Sequence, residues 1–242
     1  MEKLSKERQK WIRSLQLKKN RDEESVFVVE GEKSVLEGLQ IFKQNLIELV
    51  STENFIDLIP NTFHSILKIV SEKELEGISD LRTPNKFLAV FKKEIRTISL
   101  NESSIILDGI QDPGNLGTIL RLADWFGVNQ IICSKDTVDC YNPKVVQASM
   151  GAIFRISVHY TDLSDFITKY DSPIYAAFLN GENYKSIAKP KQFALLMGNE
   201  GKGIRPEIEL LVENRVTIPR IGEAESLNVS TATAILLAEF CL

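Results

Sequence analysis

Five polar side chains stand beside long apolar runs in the second half of this chain: Asn115, Arg121, Glu200, Ser226 and Asn228. They fall in three glycine-bearing stretches, LDGIQDPGNLGTILR (107–121), LLMGNEGKGI (195–204) and IPRIGEAESLN (218–228). Together these offer backbone donors, a guanidinium, a carboxylate, amides and hydroxyls, with no His and no Cys. Such an inventory has little capacity for acid–base chemistry near pH 7 and suits binding and orienting reactants more than covalent catalysis. Turn chemistry explains any one corner by itself. If the three converge, they line one pocket. Ser226 and Asn228 pose a sharper question, because they precede the apolar run 229–241: they either cap a helix or belong to a site.

Two common phosphate sites are excluded by spacing. A P-loop needs Gly, four residues, then Gly-Lys-Ser/Thr. Here Gly203 follows Gly201-Lys202, and the position five before Gly201 is Leu196. The 107–121 corner has Gly114 and Gly117 but no G-x-G, so it lacks a dinucleotide fingerprint.

The elements that must position these corners read as alternating strands and helices. In the first half, 25–31, 46–50 and 66–70 are strand-like, Val35, Leu36, Leu39 and Phe42 repeat at helical spacing, and a turn at Pro84 leads into a strand. The polar stretch 92–104 reads as a linker. Beyond it, 103–110, 129–134, 174–179, 193–198 and 215–219 read as strands. Helices are expected over 116–126, 143–150, 206–213 and 229–241, with Pro143 and Pro206 at helix starts. This alternation implies an α/β fold with a mostly parallel sheet covered by helices on both faces. Open sheets of that kind bind ligands at the carboxyl ends of their strands.

At 242 residues, 43% apolar and 26% charged, the chain suits one large or two small globular domains. No apolar run approaches the roughly 18–20 residues of a bilayer span. The charged N-terminus does not read as a secretory signal, so a cytoplasmic location is expected. Cys133, Cys140 and Cys241, with His64 and His159, are too few and scattered for a disulfide framework or a metal cluster. The net charge of −4 disfavours nucleic-acid binding by the surface as a whole. The first 21 residues differ, with eight basic against two acidic side chains, a stretch that fits either a solvated helix face or a phosphate contact.

The three corners, in this order, resemble the three motifs of the SpoU (TrmH-type) RNA 2′-O-ribose methyltransferases of the SPOUT class. DPGNLGTILRLADWFG is similar to the first, LLMGNEGKGI to the second and IPRIGEAESLNVSTATAILLAEF to the third. YNPKVVQASMGAIFRI (141–156) resembles the segment between the first two. LQLKKNRDEESVFVVEGEKSVLEGL and DLRTPNKFLAV look like the L30e-like RNA-binding domain that often precedes the catalytic one. The resemblance implies an L30e-like substrate-binding domain over 1–95, a linker over 96–103 and a SPOUT domain over 104–242 with a deep C-terminal trefoil knot. It further implies S-adenosylmethionine as cofactor, RNA as substrate (rRNA ahead of tRNA), a homodimer and no metal or membrane.

Residue by residue, the resemblance assigns catalysis to Asn115, Arg121, Glu200, Ser226 and Asn228. Cofactor contacts fall to Leu196, Met197, Gly198, Asn199, Gly201, Ile218, Pro219, Leu227 and Ser230. RNA contacts are expected at Lys18, Lys19, Arg21, Glu30 and Lys33. The family's matching arginine is proposed as a base. Because a guanidinium stays protonated in ordinary protein settings, binding a substrate phosphate and stabilising alkoxide charge is the alternative role for Arg121. Gln147 stands where many members carry a basic residue. Two alternatives stand beside this function: a knotted RNA-binding protein that transfers nothing, and a base-directed SPOUT methyltransferase.

Overall fold

The computed structural model describes residues 2–81, 83 and 86–242, so the turn expected at Pro84 lies outside the described residues. Packing divides the chain into two units, Met1–Ile95 with Tyr141–Phe154, and Arg96–Cys140 with Arg155–Leu242.

The first unit opens with β1 (Glu2–Lys3), α1 (Lys6–Ser14), α2 (Lys18–Glu24), β2 (Val26–Glu30) and α3 (Glu32–Ile41). It continues through β3 (Leu46–Ser51), β4 (Leu67–Ile69), α4 (Glu72–Ile78) and β5 (Phe87–Lys92). The strands form a mixed sheet in the order β1-β4-β3-β5-β2, with β5 antiparallel to both β2 and β3. Ile12 and Leu15 from the first helical segment join Val26, Val50, Leu75, Leu88 and Val90 in one core.

The second unit starts with β6 (Ser104–Asp108), α5 (Pro113–Phe126) and β7 (Gln130–Ser134). The chain then contributes α6 (Pro143–Ser149) to the first unit. An aromatic cluster explains why this block packs there, although it follows the 107–121 corner of the second unit in sequence. Tyr141 lies 4.7 Å from Phe27 between ring centroids, and Phe154 lies 5.2 Å from Phe91 and 5.5 Å from Phe42.

Returning to the second unit, the chain forms β8 (Ser157–Thr161), α7 (Leu163–Ile167), β9 (Ile174–Asn183), β10 (Ala194–Gly198), α8 (Pro206–Glu209), β11 (Asn214–Thr217) and α9 (Val229–Cys241). Its six strands run in the order β11-β9-β10-β6-β7-β8, and every neighbouring pair is parallel. Ala176, Leu196, Ile106 and Ile132 stand in register across it. They bury against Leu163, Phe166 and Ile167 of α7 and Ile208 of α8. Their neighbours along each strand point the other way, toward the face where α5 and α9 pack together and α9 meets β10. That two-sided burial is why these strands read as unbroken apolar runs.

β1, α4 and α7 have no counterpart among the expected elements, and three further features differ from expectation. β8 was not anticipated, because an edge strand of sequence SVHYT, none of it fully buried, has no continuous apolar run. The helix expected over 206–213 stops at Glu209, leaving Leu210 exposed. Within 92–104, part of the presumed linker is fixed: the buried Gln130 amide accepts from Ser99 N at 3.0 Å and donates to Ser99 O at 2.7 Å.

Candidate active site

Each corner is held by a local device that aims one polar side chain. After β6 the chain turns and Asp112 caps α5, its carboxylate accepting from Asn115 N at 2.8 Å, with Pro113 in the first turn. That cap places Asn115 at the amino end of α5. After β10, the loop 198–205 folds back tightly: Asn199 and Gly203 exchange two backbone hydrogen bonds of 2.9 Å, and Asn199 Oδ1 accepts from the amides of Gly201 and Lys202 at 3.0 Å each. A Cβ on Gly198 would lie 2.3 Å from the Gly203 carbonyl carbon, so this approach requires glycine. Before α9, Asn228 caps the helix, with its side-chain oxygen accepting from Ser230 N at 2.9 Å and Thr231 N at 3.3 Å.

These devices bring three of the five expected catalytic residues together. Asn115 Nδ2 donates to Glu200 Oε1 at 3.0 Å, and Asn228 Nδ2 donates to Asn115 Oδ1 at 2.9 Å. One amide thus joins partners 85 and 113 residues away along the chain. Asn228 both caps α9 and enters the cluster. Arg121 and Ser226 are exposed and stand outside this chain of hydrogen bonds. The cluster sits where β6 and β10 end, the carboxyl edge of the parallel sheet, which is where such sheets bind ligands. A cleft of about 530 Å³ lined by Ser99, Asn101, Gln130 and Ser157 opens at the amino ends of the strands instead, away from this chemistry.

The residues expected to hold the cofactor divide by what they can present. Leu196 and Met197 have buried side chains and can offer a ligand only backbone. The Asn199 side chain is consumed within its loop and by a 2.6 Å bond to Gly109 O. Gly198 ends β10, Gly201, Ile218 and Pro219 lie on the loops after β10 and β11, and Leu227 is 49% exposed, an apolar side chain left facing outward beside polar neighbours. Ser230 donates to Asn228 Oδ1 at 2.6 Å. Glycine backbone and outward apolar groups at strand ends fit a flat heterocycle with polar edges. Among the described residues, no group of three His, Cys, Asp or Glu could hold a metal.

Asp108 and Arg205 were not singled out from sequence. Asp108 ends β6 at 1% exposure and receives Arg205 through Nε at 2.6 Å, Nη2 at 2.5 Å and the backbone N at 2.8 Å. Those hydrogen bonds hold the guanidinium above its usual range. The signals were present: an acid closing the apolar run SIIL, and an arginine at the N-cap of α8, a position that favours short acceptors.

In the first unit, Lys18, Lys19 and Lys33 are exposed, Lys18 and Lys19 pairing with Asp22 and Glu23 one helical turn on. Arg21 and Glu30, also expected at the RNA, face inward. Arg21 is 2% exposed and its Nη1 donates to Leu15 O and Gln16 O at 2.8 Å each, closing the end of the first helical segment. Glu30 is 9% exposed and accepts from Ser79 Oγ and from Asp80 N at 2.9 Å. Burial pushes its carboxyl above the usual range.

A family model described as the SpoU rRNA Methylase family matches residues 102–238, and one described as an MRM3-like substrate binding domain matches residues 6–89. The chain is 30% identical over 234 residues to the 23S rRNA (guanosine(2553)-2′-O)-methyltransferase RlmP of Bacillus subtilis, covering 93% of this chain and 92% of that protein. Among solved structures, a TrmH-family protein from Porphyromonas gingivalis superposes at a TM-score of 0.89 with 36% identity, covering 98% of both chains. The AdoMet-bound rRNA methyltransferase from Sinorhizobium meliloti superposes at 0.86 with 31% identity, covering 99% of this chain and 96% of that one.

Proposed function

Since the chain belongs to the SpoU rRNA methylase family, we propose that it methylates a ribose 2′-hydroxyl of RNA, rRNA ahead of tRNA, using S-adenosylmethionine. The observation that carries this reading is the Glu200–Asn115–Asn228 chain of hydrogen bonds, which ties the three corners into one site at the carboxyl edge of the sheet.

The cofactor, when bound, supplies a methyl group on a sulfonium centre that leaves readily. Gly198, Gly201, Ile218, Pro219 and Leu227 would hold it through backbone and apolar groups, with Leu196, Met197 and Asn199 contributing backbone. What remains for the protein is to fix the ribose, and such alignment is worth about 7–11 kcal/mol. Asn115, locked between Glu200 and Asn228, presents a rigid polar edge toward the sugar. The exposed Ser226 hydroxyl and Arg121 guanidinium stay available to substrate, Arg121 for an RNA phosphate and for charge developing on the 2′-oxygen. Residues 1–95 select the RNA, since a ribose hydroxyl occurs at every nucleotide. Lys18, Lys19 and Lys33 are the contacts retained for that task. A trefoil knot formed by the C-terminal segments and a homodimer complete the proposal; family membership supports both.

The test is calorimetric titration with S-adenosylmethionine, followed by incubation with RNA from a strain lacking this gene. Saturable binding and a single new 2′-O-methylnucleoside are expected. Failure to bind, or a methyl group placed on a base, overturns the reading.

A further inference from the structure

The loop 198–205 is fastened to the end of β6 at both of its ends. At one end, Asn199 Nδ2 donates to Gly109 O at 2.6 Å. At the other, Arg205 meets the buried Asp108 carboxylate with two guanidinium nitrogens and its own backbone N–H. A carboxylate at 1% exposure needs such compensation. Arg205, by contrast, keeps 42% of its side chain exposed and is not needed to fill a core. Nor does its side chain cap α8, where Arg205 contributes only its backbone carbonyl, accepting from Ile208 N and Glu209 N. Asp136, on the corner after β7, lies 3.7 Å from the same guanidinium and adds a second negative charge on its outer side. Between the two fastenings lie Glu200, which reaches Asn115, and the backbone of Gly201 and Lys202.

We infer that Arg205 and Asp108 form a positioning pair that holds the 198–205 loop in its cofactor-competent shape against the end of β6. This deepens the proposed function and rests on it. Neither residue joins the Glu200–Asn115–Asn228 cluster. Each acts through the loop, and its effect belongs to cofactor affinity more than to turnover once the loop is occupied. If release leaves the loop competent about a tenth of the time, apparent affinity falls about tenfold, because the free protein must be reordered before binding.

The experiment compares wild type with Arg205→Ala, Arg205→Lys and Asp108→Asn in the full chain. Three readouts are taken below the melting temperature of each: calorimetric Kd for S-adenosylmethionine, turnover at saturating cofactor, and amide hydrogen exchange at Gly201 and Lys202. The pair predicts faster exchange at both amides and a Kd weakened about tenfold in Arg205→Ala. It further predicts little change in saturated turnover, and partial rescue by Arg205→Lys. Wild-type exchange and Kd in a folded Arg205→Ala protein overturn it, as does lost turnover at unchanged Kd. A lower melting temperature with both readouts unmoved makes the pair structural and also overturns it. If Arg205→Ala does not fold, Arg205→Lys decides by the same criteria. Should wild type fail to bind S-adenosylmethionine, the functional reading falls, and the exchange readout still decides the pair.

Discussion

The amide of Asn228 turns its oxygen to the first turn of α9 and its nitrogen to Asn115. Substitution can separate these tasks. Asn228→Ser keeps an acceptor for the cap but has no amide donor, so the melting temperature should stay near wild type while methyl transfer falls about tenfold or more, the scale of one lost hydrogen bond in the transition state. Asn228→Ala removes the cap as well and should cost a further ~1 kcal/mol of stability, read by urea denaturation. Equal transfer by the serine variant would reduce Asn228 to a cap. Glu30 supports a second residue-level prediction. Its folded-state carboxyl titrates above the unfolded value because of burial, so the folded state binds more protons and stability falls as pH rises between the two values. Glu30→Gln, whose amide can still serve Ser79 and Asp80, should remove that fall and leave the variant at least as stable as wild type at pH 7. An unchanged pH dependence of the melting temperature would contradict this. Single residues of the candidate site were legible by type, since Asn115, Glu200 and Asn228 converge. The burial of Arg21 and Glu30 was not, because a charge turns inward only where tertiary partners such as the Leu15 carbonyl and Ser79 await it.

The elements most legible in the sequence are those the sheet buries on both faces: SIILD, QIICS and ALLMG announce themselves by composition. β8 carries no such signal, because pairing with β7 on one side only asks for no such run. The end of α8 is masked in the sequence because Ile208 and Val212 join the core without a continuous helix between them. Element packing also gives Gly38 its place on α3. A Cβ there would meet the ring tips of Phe154 and Phe91 at 2.6 and 2.7 Å. Gly38→Ala gains about 1 kcal/mol of helix propensity yet should be destabilising overall by ~1–3 kcal/mol, as overpacked cores are. Urea unfolding measures this, and a stabilised variant would show that the rings move aside at little cost.

For the molecule as a whole, the acidic net charge and the basic N-terminal stretch are reconciled in part by pairing: Lys6 with Glu74, Arg8 with Glu48, Lys18 with Asp22. The exposed pairs Lys6–Glu74 and Lys18–Asp22 are weak, so these lysines remain able to exchange their partners for phosphate. Replacing both Lys18 and Lys19 by Gln should weaken RNA binding and lower the slope of log affinity against log salt by about 1–2, the share of two phosphate contacts. An unchanged slope would remove them from the interface. That three distant corners form one site for ribose methylation is read by mapping ribose methyl groups across rRNA and tRNA in a strain lacking the gene, complemented with wild type or with Arg121→Ala. One 2′-O-methyl group should be lost, restored by wild type and left missing by Arg121→Ala, whose purified protein still binds S-adenosylmethionine. A complete ribose map in the deletion strain, or restoration by Arg121→Ala, would contradict it.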